Sequence, residues 1–224
     1  MAAKKTKGTE DVLLILCKSV QNVLSFATKS DISFSPVVMK TTKTCLKPDI
    51  GCFVLFEGGF SGLVVMNFSA GSALEIYRNY LISMGMPEEE LTANHTSDEV
   101  ANSLGELMNQ IVGNFQSELK NELLISVNQS QPKMIVLNQE LLVAINARID
   151  NPQYRRVSFE TADNNLFYVE LAVEKMEFVE LLPLEKVAAV DLDTIIEEEK
   201  AKNSGKTKPD TEMADDDFMK ELGL

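Results

Sequence analysis

The 224-residue chain is 45% hydrophobic and carries a net charge of −13, a balance that suits a soluble globular protein with one full core or two small ones. Nucleic-acid affinity rests on Lys and Arg neutralising phosphates, so an acidic chain with no basic patch argues against a nucleic-acid partner. Cys17, Cys45 and Cys52 are odd in number and lack a C-x-x-C spacing, which signals neither a disulfide framework nor a zinc site and points to a reducing cytoplasm.

Residues 1–9 are polar and partly basic and are expected to be a disordered end. Asp11 to Lys29 predicts a helix with Leu13, Leu16, Val20, Val23 and Leu24 facing inward. Its apolar run Val12–Cys17 is closed by Lys18 and is too short for a signal-peptide core or a bilayer span, so no membrane association is expected. Pro36 and the alternating stretch after it predict the start of strand structure. Gly51 to Phe68 reads as a hairpin, two β-rich runs around Gly58-Gly59, where a tight turn needs positive φ. Ser69 or Ser72 is the expected cap of a helix running through Ala73 to Met84, and Pro87 to His95 is a polar connection.

Thr96 to Lys120 is the stretch that organises the rest. Thr96 and Glu99, three apart, form an expected capping box. Val100, Leu104, Leu107, Ile111, Phe115 and Leu119 follow at the spacing of one buried helical stripe. At about 100° per residue, Asn102, Glu106, Asn109 and Gly113 fall together on the opposite side. Gly105 and Gly113 lie on or beside that face, at roughly 1 kcal/mol each in lost helix propensity. A solvated face normally carries Lys, Glu and Ala. This one is low in relief and uncharged apart from Glu106, as suits a surface that another macromolecule approaches closely.

After that helix the order repeats. Pro132 precedes Met134–Asn138, Leu141–Ile149 is a second strand run, and Val157–Glu174 is a hairpin turning at Asp163-Asn164-Asn165. Helix, proline, strands and hairpin therefore occur twice, a repetition of pattern without residue identity. The expected class is α+β, an antiparallel-rich sheet with long helices packed on one face and a pseudo-duplicated plan. The folded domain is expected over residues 10–178. Beyond it, residues 179–202 read as an acidic, partly helical extension, and 203–214 as a flexible linker. Residues 215–224 (D-D-D-F-M-K-E-L-G-L) read as a short helix whose apolar face is Phe218, Met219 and Leu222. Glu174 to Leu224 holds 15 acidic and 7 basic residues. Ten residues do not hold a helix alone in water, so a bound partner is expected to order the tail.

Most catalytic inventories are missing. The single histidine, His95, sits in a polar loop, and no P-loop, dinucleotide fingerprint, nucleophile elbow or paired-histidine motif is present. Such a chain suits a reaction that needs little acid–base or covalent work. Hydrolysis of an acyl phosphate qualifies, because the leaving group is good and phosphoryl transfer depends chiefly on positioning and electrostatics. A carboxamide can hold a water in line with phosphorus, and a carboxylate one helical turn away can pair with a lysine of the substrate.

Glu106-x-x-Asn109, followed after 22 residues by Pro132, resembles the E-x-x-N-x(22)-P signature of the CheC/CheX/FliY phosphatases of the response regulator CheY. The surrounding S-L-G-E-L-M-N-Q-I-V-G-N, the Gly51–Phe68 hairpin and Val157–Glu174 resemble the CheX branch, over roughly Asp11 to Glu174. The family usually has Asp or Ser where this chain has Asn102. The first-half helix offers Ser19-x-x-Asn22 without a glutamate, which by resemblance leaves one site per chain, as in CheX. The terminal peptide is similar to that of CheZ, an unrelated phosphatase that tethers CheY.

The resemblance implies a cytoplasmic phosphatase of a phosphorylated CheY-type receiver domain, with Asn109 positioning the attacking water and Glu106 docking the partner. Asn102, Gly105 and Gly113, with Phe218, Met219 and Leu222 of the tail, would bind that partner. It implies no cofactor or metal on this chain, Mg2+ on the receiver, and a homodimer paired through sheet edges. The alternatives are a CheX-like module that binds a receiver domain without dephosphorylating it, and a flagellar-switch component.

Overall fold

The computed structural model describes residues 6–137, 139–143 and 151–179. Strand β1 (Thr6–Gly8) leads into helix α1 (Thr9–Thr28), which buries Val12, Leu13, Leu16, Cys17, Val20 and Leu24 along one side. Lys29, at φ 53°, ends the helix in the left-handed conformation. By length and composition alone α1 is apolar enough to cross a bilayer; here its apolar side packs into the core. Thr6–Gly8 corrects the expectation of a disordered end, because it pairs antiparallel with β12 (Glu177–Val179). No local pattern marks a three-residue strand whose partner lies so far along the chain.

Strands β2 (Ile32–Phe34), β3 (Met39–Thr41) and β4 (Thr44–Leu46) come next. Strand structure thus begins before Pro36, which lies in the irregular stretch between β2 and β3. The expected hairpin is β5 (Ile50–Gly58) with β6 (Gly62–Phe68). Helix α2 (Ala70–Ser83) is capped by Ser69, whose Oγ accepts the Ser72 N–H at 3.2 Å. A 3-10 turn, Glu88–Glu90, interrupts the polar connection to α3 (Asp98–Leu123). Then come β7 (Val127–Gln129), β8 (Lys133–Val136) and β9 (Leu141–Val143). The hairpin of β10 (Gln153–Thr161) and β11 (Leu166–Val173) follows, with Asn164 at φ 60° in its turn. The second strand run is described only to Val143. The acidic extension, the linker and the terminal helix expected over 179–224 lie outside the described residues, apart from Val179.

All pairings among the described residues are antiparallel. The main curled half-barrel sheet runs β2-β10-β11-β6-β5-β7, with β3 also on β10 and β8 also on β5. Its order confirms the pseudo-duplicated plan and shows that the halves exchange strands. First-half β2 and β3 pair with second-half β10, while second-half β7 and β8 pair with first-half β5. Between the halves, β6 pairs with β11 and β4 with β9.

The helices follow the same exchange: α1 lies on β2, β10 and β11, and α3 on β5, β7 and β8. Along β6, Val64 and Met66 join the helix-side core, whereas Leu63 and Val65 point to the opposite face, which β4 helps to cover. There the buried Glu170 pairs with Arg156 at 2.6 Å and accepts the Cys45 N–H at 3.2 Å, tying β4 down.

One ring contact fixes α3 against the sheet, and a neighbouring ring in the β5–β6 turn supports it. Phe115 meets Phe56 of β5 edge-on, ring centroids 6.1 Å apart, and Phe60 meets Phe56 at 5.3 Å. Gly58, at φ 146°, lets the chain following α3 come close: a Cβ there would sit 2.7 Å from the Ser126 carbonyl oxygen.

Candidate functional site

Helix α3 starts one residue later than its capping-box pattern predicts. Ser97 is the cap, its Oγ accepting the Val100 N–H at 3.3 Å, while the Thr96 hydroxyl bonds Asn94. Glu99 is free of cap duty and accepts the Tyr77 hydroxyl of α2 at 3.1 Å. Asp98 and Glu99 sit in the first turn and Lys120 in the last, matching the helix dipole. The whole expected stripe is buried, Val100, Leu104, Leu107, Ile111, Phe115 and Leu119, and Met108 and Val112 join it.

That burial turns Asn102, Glu106 and Asn109 to the outside, where all three are exposed. Glu106 and Asn109 are three apart on one helix and therefore neighbours. Gly105 and Gly113 are half-buried beside them. Packing among the described residues explains neither glycine: a Cβ on Gly105 would make an ordinary 3.6 Å contact with Met134, and one on Gly113 would meet none of them within 4 Å. Pro132 lies just before β8, whose Met134 approaches Gly105. The spacing between the E-x-x-N pair and the proline thus measures the length of chain that leaves α3 and returns beneath it as a strand. Phe218, Met219 and Leu222 lie outside the described residues.

Sequence reasoning missed the α2 side of this surface. Tyr77 and Tyr80 of α2 are both buried, and the Tyr77 hydroxyl donates to Glu99 of α3 at 3.1 Å. Burial pushes the Tyr80 hydroxyl up from its ordinary value, and the Glu106 hydrogen bond and charge push the same way, while Gln110 opposes them. Tyr77 is raised likewise, first by burial; its Thr92 contact lowers it and Glu99 raises it. The only sequence signal was two tyrosines three apart on a helix.

The α1 helix, the counterpart of α3 in the pseudo-repeat, carries no such site. Gln21 Nε2 donates to the Ile32 carbonyl at 2.8 Å, and Gln116 Nε2 to the Val127 carbonyl at 3.0 Å. Lys29 and Leu124 end the two helices at φ 53° and 55°. Both pairs give the same shift, 95 residues, from Gln21 to Gln116 and from Lys29 to Leu124. It places Asp11 opposite Glu106 and Leu14 opposite Asn109. Ser19-x-x-Asn22 is therefore not the structural counterpart of the motif, and Ser19 is wholly buried. Asp11 accepts the Gly8 N–H at 2.8 Å as a cap, and Leu14 has no amide to orient a water.

Comparison with solved structures defines the class. A CheX chemotaxis protein from Desulfovibrio desulfuricans matches at 16% identity and a TM-score of 0.59, over 73% of this chain and 99% of its own. The CheX–CheY–BeF3–Mg2+ complex from Borrelia burgdorferi matches at 16% identity and 0.54, over 73% and 98%. FliY from Thermotoga maritima matches at 20% and 0.52, over 73% and 86%. The fold is CheX-like, as the motif and hairpins implied. The family model of a protein of unknown function, DUF3334, matches residues 3–224, and the chain belongs to that family. No curated protein matches the sequence.

Proposed function

We propose that this protein is a CheX-like phosphatase that hydrolyses the aspartyl phosphate of a CheY-type response regulator. The observation that carries the reading is the placement of Glu106 and Asn109 as exposed neighbours on α3 of a CheX-like fold, beside two glycines that packing among the described residues does not require. The Asn109 carboxamide orients a water in line with phosphorus. As the water oxygen bonds to phosphorus, the acyl oxygen–phosphorus bond breaks, freeing the receiver's aspartate and inorganic phosphate. Glu106 pairs with a receiver lysine. Mg2+ belongs to the receiver in this scheme, and this chain contributes no metal ligand. Asn102, Gly105 and Gly113 form the contact surface.

The tail Asp215–Leu224 captures the same receiver through Phe218, Met219 and Leu222, raising its effective concentration at α3. As a flexible coil, its 12-residue linker, Asn203–Ala214, would span roughly 17–21 Å. Deleting the tail raises the receiver concentration for half-maximal activity and leaves the saturated rate nearly unchanged; an unchanged half-maximal concentration removes the tether. A homodimer paired through sheet edges, and a cytoplasmic setting that suits three free thiols, complete the proposal.

The deciding experiment follows the decay of phosphorylated receiver domains, each with and without the full chain. Faster decay of at least one, lost in Asn109→Ala, supports the enzyme. Asn102, standing where the resembled family usually has Asp or Ser, favours a second reading, a module that binds a receiver without dephosphorylating it. Binding of a receiver with no change in its decay would select that reading.

A further inference from the structure

At the 95-residue shift, Thr9, where α1 begins, falls opposite Leu104, so α3 starts six residues earlier, at Asp98. This extra stretch has no helical counterpart in α1, and it carries Glu99 and Asn102, both exposed. At about 100° and 1.5 Å per residue, Glu99 stands within about 20° of Glu106 and about 10 Å before it along the helix axis. Asp98, the other acid of the first turn, is about 100° round from Glu99. The outward ridge of α3 therefore runs Glu99, Asn102, Glu106, Asn109, with a carboxylate on each side of Asn102.

Glu99 does not cap its helix; it is held from α2. The buried Tyr77 donates its hydroxyl to Glu99 Oε2 at 3.1 Å and accepts the Thr92 N–H at 3.4 Å. A phenol has one proton to give, and with a main-chain N–H already on its oxygen that proton goes to Glu99. Among the described residues no Lys or Arg pairs with Glu99, and its Oε1 accepts no hydrogen bond. A side chain already held by a buried ring has less entropy left to lose when a partner binds.

We propose that Glu99 is a second docking carboxylate of α3, pairing with a basic side chain of the receiver about 10 Å from the lysine that meets Glu106; this rests on the reading of α3 as the receiver-docking face. Glu99 thereby selects among receivers: two basic groups at that separation are favoured, and an acidic group facing Glu99 is repelled. The chemical step stays with Asn109.

The test uses the full chain and a phosphorylated receiver whose decay it speeds. Glu99→Gln keeps an oxygen to accept from Tyr77 and removes only the charge. It raises KM roughly two- to fivefold, the scale of an exposed ion pair, with kcat within about twofold. The rise shrinks between about 0.1 and 1 M salt, as screening shortens. Glu160, exposed on β10 between the buried Phe159 and Thr161, lies on the sheet face away from the helices. Glu160→Gln removes the same charge there and leaves KM unchanged. An unmoved KM in Glu99→Gln, a loss confined to kcat, or an equal rise in Glu160→Gln overturns the proposal and leaves the phosphatase reading standing. A wild type that speeds the decay of no receiver defeats the phosphatase reading instead. The same variants are then titrated with receivers loaded with BeF3 and Mg2+. A Kd raised in Glu99→Gln but not in Glu160→Gln supports the docking role, and an unchanged Kd, or no binding by the wild type, overturns it.

Discussion

Set side by side at their 95-residue shift, α1 and α3 bury Val12 and Leu107, Leu16 and Ile111, Val20 and Phe115, and Leu24 and Leu119 at matching positions. Outward, the same shift sets Leu14 against Asn109, and Asp11, held by the Gly8 N–H, against the exposed Glu106. The inner faces agree because both helices lie on the same kind of exchanged sheet, and close packing restricts what fits there. Among the described residues, close packing restricts the outer faces far less. The difference there is what the proposed receiver-docking role of α3 calls for.

The strongest way to break this comparison is through the inner faces. Phe115→Ala should lose about 3–5 kcal/mol and Leu24→Ala about 2–5 kcal/mol in urea unfolding. An α1 variant near wild type would show that the two helices do not carry the fold alike. On the outer faces, Asn109→Ala should abolish stimulated receiver dephosphorylation with stability within about 0.5 kcal/mol of wild type. Leu14→Asn, at the α1 counterpart, should leave that rate unchanged. Activity retained in the first variant would remove the water-positioning role. Glu106→Lys should weaken receiver binding in a titration by setting like charges together; unaltered affinity would move docking elsewhere.

The smallest effect concerns how α1 is anchored. Arg155 of β10 holds Glu10 at 2.8 Å, and this hydrogen bond, ahead of the opposing effect of burial, lowers the Glu10 carboxyl below its ordinary 4.5. A lowered folded value stabilises the fold above the unfolded value, and the gain is lost as pH falls from 4.5 through the lowered one. Glu10 is more than half exposed, so solvent screening keeps the gain to about 0–1 kcal/mol. Glu10→Gln should lower stability slightly at neutral pH, and the gap to wild type should close in acid. A gap that persists at low pH would mean that packing, and not charge, anchors α1.

The buried stripe of α3, the outward Glu106 and Asn109, the Ser69 cap and both hairpins were legible in the sequence. Each depends on residues within a few positions of one another: helical period, a side-chain oxygen before a helix, Gly58 or Asn164 where φ is positive. The capping box misled by one residue because Ser97 competes with Thr96, and Glu99 found a better donor in Tyr77. The duplication was visible as a pattern, but its alignment was not. Ser19-x-x-Asn22 copies the motif's spacing, while the caps and glutamine bonds that set the true shift are contacts made only in the folded chain.

What the sequence by itself determined is which face of each helix turns inward and where the chain reverses, since both follow from local periodicity and backbone sterics. Tertiary structure alone decided that the halves exchange strands, that Thr6–Gly8 closes on Glu177–Val179, and that Tyr77 reaches Glu99. These are meetings between segments far apart in the chain. They are set by which strands share an edge and which helices share a layer, and such partners leave no local mark on either segment.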